Sequence, residues 1–160
     1  MKTLKTMVYV LTGLILVSPL AVGALDSTAT VVVSRGIVNA VSSGDERVLG
    51  QGDVIYVSDK IVTGNKSFAV LQFIDGAKVT VRPNSAIVIE EYAYTGTEND
   101  AATLHLVEGG LRVITGAMAK NHPDNYKVKT PVALMGVRGT EFAVMLCGDK
   151  ICDEDEANEY

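Results

Sequence analysis

The chain has 160 residues, of which 48% are hydrophobic and 21% charged, a balance that excludes wholesale disorder and leaves room for one domain. Its formal charge of −5 argues against nucleic acid and anionic lipid surfaces as partners, because both are bound largely through Lys and Arg.

The first 24 residues read as an export signal, taken as a helical segment outside the fold. Lys2 and Lys5 form a positive start, residues 7–17 are apolar, and Val22-Gly23-Ala24 supplies the small residues of a cleavage site before Leu25. An uncleaved membrane anchor is the alternative, because no charge falls between Lys5 and Asp26. The stretch ahead of the apolar run, residues 1–6, is too short for a further segment. Removing Lys2 and Lys5 leaves 14 − 2 = 12 basic against 19 acidic side chains, a mature charge of −7. The expected location is periplasmic or secreted, with no membrane insertion after cleavage.

From Thr28 onward the sequence reads as short strands punctuated by glycine. TVVVSRGIVNAV gives two strand pieces with a kink at Arg35-Gly36, and SSGDERVLGQGD reads as a turn-rich link. DVIYVSDKIVTG adds two short runs. In SFAVLQFIDGAKVTVRPNSAIVIEEYAY the alternation of apolar and polar residues continues on both sides of Asp75-Gly76, a dipeptide suited to a tight hairpin. Arg82-Pro83-Asn84-Ser85 interrupts the strand pattern, since proline donates nothing to a central ladder. TLHLVEGGLRVITG repeats the plan with Gly109-Gly110 as the turn, and AMAKNHPDNY reads as a loop. YKVKTPVALMGVRGTEFAVMLC closes the fold, with Val128, Val132, Leu134 and residues 142–146 as core candidates. Residues 148–160 form an acidic tail, which sets a domain at 25–147. RPNSAIVI and KTPVALMGV share a loose pattern, compatible with a solenoid of stacked short strands and equally with hairpins in a sandwich.

Cys147 and Cys152 flank a Gly-Asp-Lys turn, and in an oxidising compartment such neighbours pair as a disulfide, stabilising by about 2 kcal/mol when unstrained. A metal site needs two more soft ligands, and only His105 and His122 are present.

GDVI, IVTGNKSFAVLQFIDGAKVTVRPNSAIVI, LVEGGLRVITG and YKVKTPVALMGVRGTEFAV, in that order, resemble the FecR domain over about residues 50–144. That family is named for the periplasmic part of a regulator relaying an iron-siderophore signal to a sigma factor. The resemblance implies an all-β fold, with short strands in a solenoid-like or β-helical arrangement; a β-sandwich or barrel-like form is the alternative. It also implies a stand-alone exported module that binds an envelope protein or relays a signal, without a cofactor and without catalysis. A structural or glycan-binding envelope component is the second reading, with Tyr92, Tyr94 and Tyr126 as stacking candidates.

No nucleophile, base and carboxylate set stands out. Ser85 is read as a corner serine, His105 as a residue on the outer face of a strand, and Asp53 and Asp75 as turn acceptors. Glu90-Glu91 and the tail offer oxygen ligands without the spacing of a calcium loop. Arg138 lies between Gly136 and Gly139 and ahead of Thr140. It is read as a buried structural arginine, pinning a glycine-permitted bend through strand-end carbonyls, Asp75 or Glu141, with a partner-binding role as the alternative. Asp75 and Gly76 complete the structural set.

Overall fold

The computed structural model describes residues 27–147. The signal segment, the tail and Cys152 lie outside the described residues. Thirteen strands follow in chain order: β1 (Ser27–Arg35), β2 (Val38–Ser42), β3 (Asp45–Val48), β4 (Val54–Tyr56), β5 (Lys60–Thr63), β6 (Phe68–Phe73), β7 (Lys78–Val81), β8 (Ala86–Ala93), β9 (Ala101–Glu108), β10 (Gly110–Ile114), then β11 (Tyr126–Lys129), β12 (Leu134–Gly136) and β13 (Glu141–Met145). Between β10 and β11 lie a short helix, α1 (Ala117–Asn121), and a 3-10 turn (Pro123–Asn125), where the sequence reads as a loop. Ala117, Met118 and Ala119 favour the single helical turn, and Pro123 cannot continue it. No described helix is long and apolar enough to cross a membrane.

Two sheets result. One has the order β13-β10-β7-β6-β1-β4, and the other β12-β11-β9-β8-β5-β2-β3. Alternation builds their inner faces: Ala69, Leu71 and Phe73 of β6, and Ala102, Leu104 and Leu106 of β9, are buried, while their neighbours are less so. Val31, Leu71, Val79 and Val113 from one sheet share a single core with Val38, Ile61, Ile87 and Leu104 from the other. Each such side chain contributes about 1.5–3 kcal/mol by leaving water.

Solenoid-like stacking does not describe these residues, and neither sheet closes into a barrel; the two-sheet alternative does describe them. The reason is topological. β2 with β3, β6 with β7 and β8 with β9 turn back as antiparallel neighbours, whereas a β-helix needs parallel rungs. The described parallel pair is β9 with β11, whose connection runs through β10 and α1.

The chain changes sheet at matched corners. Gly36 carries it from β1 to β2, and Gly109 from β9 to β10. Two four-residue turns do the same: Gly64-Asn65-Lys66-Ser67 between β5 and β6, and Arg82-Pro83-Asn84-Ser85 between β7 and β8. Gly109-Gly110 is therefore a corner between sheets and not a hairpin turn. In each four-residue turn the third residue is left-handed, Lys66 at φ 54° and Asn84 at φ 51°. The serine that follows holds the opposite glycine corner. Ile37 N–H donates to Ser67 Oγ at 2.9 Å, and Gly110 N–H to Ser85 Oγ at 2.8 Å. Each hydroxyl in turn donates to the carbonyl two residues earlier.

Candidate interaction surface

The polar groups inside the fold hold it together. Asp75, at the β6–β7 hairpin with Gly76 at φ 85°, is 7% exposed. Its Oδ1 accepts from Ala77 N–H at 3.0 Å and from the Tyr92 hydroxyl at 2.6 Å, and its Oδ2 from Met118 N–H at 3.2 Å. Its backbone carbonyl accepts from Ala117 N–H at 2.9 Å. One carboxylate thus joins a hairpin, α1 and the opposite sheet. A side chain at Gly116 would meet Asp75 Oδ2 at 2.4 Å, so this approach requires glycine.

Tyr92 reaches Asp75 because β8 contains a bulge. The register with β9 shifts between Ile89 and Glu91, leaving Glu90 and Glu91 both outside and turning Tyr92 inward. Its ring stacks on Phe73 of the other sheet at 4.2 Å and meets Tyr126 edge-on at 6.3 Å. Burial above all, then Tyr126 and Asp75, pushes the Tyr92 hydroxyl's pKa up; burial and Asp75 do the same to Tyr126. The Tyr126 hydroxyl has no hydrogen-bond partner among the described residues. Tyr92 and Tyr126 are 4% and 0% exposed and Tyr94 is half-buried against the core. For Tyr92 and Tyr126 the expectation of sugar stacking is therefore corrected, because enclosed rings present no face to a glycan.

Arg138 is also corrected. Its side chain is 81% exposed and lies 3.6 Å from the equally open Asp124. Asp75 is satisfied by Tyr92 and backbone amides, and Glu141 is engaged by Arg112. The segment crosses from one sheet to the other here, so the arginine points off the rim. Gly139 does take a glycine-permitted φ of 125°, while Gly136 ends β12 with open space where a side chain would stand. Thr140 contributes its carbonyl, which accepts from Thr115 N–H at 2.9 Å. Val132 and Leu134, read as core, are 88% and 64% exposed.

Sequence reading missed a second polar anchor. Arg47 of β3 forks onto Asp59 at 2.6 and 3.2 Å, and also donates to the Val54 carbonyl of β4 at 3.0 Å. Asp59 has no exposed side-chain surface and holds the Arg47 guanidinium above its ordinary pKa. On the outer face of the seven-stranded sheet, Glu90 accepts from Lys129 at 2.8 Å and from His105 at 2.9 Å. Lys129 first, then His105, holds the Glu90 carboxyl low. Ser85 is committed to its corner, and no metal-holding cluster occurs among the described residues.

What remains is the rim. On one side β3 carries Asp45, Glu46 and Arg47, and Arg47 ties it to β4, so those edges are charged and bridged. On the other side β13 opens with Glu141, whereas β12, Leu134-Met135-Gly136, has no charge. The Thr130 N–H to Ala133 and Val137 N–H to Tyr126 bonds flank the β11–β12 ladder. With Val128 opposite Met135, the antiparallel alternation points the N–H and C=O groups of Leu134 and Gly136 away from β11. Exposed apolar side chains and outward backbone groups coincide there.

These features define an all-β module with an apolar, uncharged strand edge. The chain belongs to the FecR family: the family profile described as FecR protein matches residues 59–154. A solved structure described as a cell surface anchoring domain is 29% identical, covers 38% of this chain and 82% of its own, and superposes with a TM-score of 0.37. Among curated proteins none matches.

Proposed function

We propose that the protein is an exported, non-enzymatic FecR-type module that works by protein contact in the periplasm, as a binding or signal-relay element. The observation that carries this reading is the β12 edge, where Val132 and Leu134 stand exposed beside backbone groups directed off the sheet. Such an edge accepts an extended strand of a partner: backbone hydrogen bonds supply affinity, and alternate side chains supply specificity. Family membership supports an envelope role, and the signal-like residues 1–24 support export.

The test is a photo-crosslinking amino acid at Leu134 in intact cells, with Thr103 on the outer face of β9 as control. A discrete envelope protein captured from position 134 and not from 103 is expected; identical or empty lanes contradict the reading. The same exported state pairs Cys147 with Cys152, so thiol titration of the unreduced protein finds no free thiol, and two free thiols remove that pairing.

A further inference from the structure

We propose that the cleft between the β2–β3 and β4–β5 turns is a binding site for a neutral saccharide unit. It lies at the β3 and β4 edges, away from β12, and it is independent of the contact function proposed for that edge.

Space and walls come first. The cleft encloses about 460 Å³, within the range of roughly 300–1,000 Å³ typical of small-ligand sites. One wall is the β2–β3 turn, with Ser42, Ser43 and Asp45; the other is the β4–β5 turn, with Tyr56, Val57 and Ser58. Arg47 and Asp59 join the two. Asp59, with no exposed side-chain surface, accepts from Arg47 at 2.6 and 3.2 Å and from the Tyr56 N–H at 2.9 Å. The walls are therefore fixed before a ligand arrives, which lowers the ordering cost of binding.

The serines are unusual for their turns. Ser42 pairs with Asp45 across a two-residue hairpin whose central residues, Ser43 at φ 50° and Gly44 at φ 92°, are both left-handed. Asn, Asp or Gly is favoured at the first of these positions. Ser58, at φ 72°, is the third residue of the turn closed by the Asp59 N–H on the Tyr56 carbonyl, where glycine is favoured. Serine bears left-handed strain at both positions, and neither hydroxyl has a hydrogen-bond partner among the described residues. The Ser42 and Tyr56 hydroxyls are likewise without one there. The hydroxyls around this cleft are left for a ligand rich in groups that both donate and accept.

Charge decides the class of ligand. Arg47 is matched by Asp59, so Asp45 leaves the cleft with a net negative charge, which disfavours an anion. The Arg47 fork already holds Asp59 and the Val54 carbonyl, and no guanidinium fork remains for a carboxylate or phosphate. A cation seeking the Tyr56 ring meets the Arg47 guanidinium, 5.7 Å from the ring centroid. A neutral polyhydroxyl ring suits the cleft: its hydroxyls bond to the serines and Asp45, and its C–H groups pack against Tyr56 and Val57.

Titration of the isotope-labelled full chain with cellobiose, maltose and N,N′-diacetylchitobiose, followed by amide NMR shifts, tests this. At least one of these sugars shifts the amides of residues 42–45 and 56–59 and saturates them in the millimolar range, while galacturonate and putrescine do not. The Ser43→Gly, Ser58→Gly double variant binds about tenfold more weakly, because two hydrogen bonds are lost. Its melting temperature is nonetheless held or raised, because glycine relieves the left-handed strain. Serines that served only the fold would lower the melting temperature on removal. Shifts with none of the sugars, tighter binding of galacturonate or putrescine, or undiminished affinity in the double variant overturns the inference. Shifts confined to the β12 side overturn it too, whatever the crosslinking from Leu134 shows.

Discussion

At the scale of single residues, the two buried tyrosines make opposite demands. Tyr92 places its hydroxyl on Asp75, while Tyr126, equally enclosed, places its hydroxyl against no described partner. Tyr92→Phe leaves Asp75 short of a donor and costs about 1–3 kcal/mol, whereas Tyr126→Phe removes an unsatisfied buried group and is neutral or stabilising. Thermal unfolding of the two variants checks this, and equal losses contradict it. Arg138→Ala in the same series melts within about 0.5 kcal/mol of the parent, because an exposed side chain 3.6 Å from an exposed carboxylate contributes little. Asp100 is one carboxyl whose titration couples to stability at low pH. Burial raises its pKa, but hydrogen bonds from Thr95, Gly96 and Thr97 outweigh that and hold it below the usual range. A depressed carboxyl stabilises the fold above its unfolded pKa of about 3.9, and the contribution is lost as pH falls through the folded value. The loop at residues 95–100 keeps its amide protection at pH 5 and down to the unfolded pKa of about 3.9, and loses it only as pH falls further, measured by exchange. Loss already at pH 5 contradicts the assignment.

At the scale of elements, the corners carry the design. Gly109 sits at φ 73°, and an added Cβ would stand 2.2 Å from Ser85 Oγ and 2.5 Å from the Asn84 carbonyl. Gly109→Ala therefore combines left-handed strain with a clash against backbone, and it lowers stability by about 2–3 kcal/mol in denaturant unfolding. A change below 0.5 kcal/mol contradicts the corner account. Much of this level is legible in the sequence. Alternation in SFAVLQF and AKVTV marks the inner faces, and Asp75-Gly76 marks the hairpin, because both signals are local. The corner role of Gly109 is not legible, since a glycine that turns a hairpin and one that moves the chain between sheets look alike until the partner serine is placed. The inward turn of Tyr92 leaves a trace in the doublet Glu90-Glu91: successive acids cannot both face out on a regular strand, so a bulge is needed. Arg138 misleads for the opposite reason. Its apolar neighbours suggest a buried strand, but Val132 and Leu134 belong to an edge.

At the scale of the whole molecule, polar groups inside the sandwich are consumed by structure, apart from the Tyr126 hydroxyl and Asn39 Oδ1. Asp75 fixes α1, Arg47 and Asp59 join β3 to β4, and Ser67 and Ser85 lock the corners. The β12 edge of this FecR family member is the surface on which the proposed contact function rests. The rim differs side to side: β3 and β4 carry charge and the Arg47 bridge alongside an exposed Val48, and the other side presents Val132 and Leu134 next to an uncharged strand. The most direct measurement places the photo-crosslinker at Val132 and compares the parent with Leu134→Pro. The Leu134 N–H points away from β11, so proline there removes an edge donor while sparing the ladder. An unchanged melting temperature and loss of the crosslinked partner are expected. A crosslink that persists at full yield in the folded proline variant would contradict the edge-contact reading.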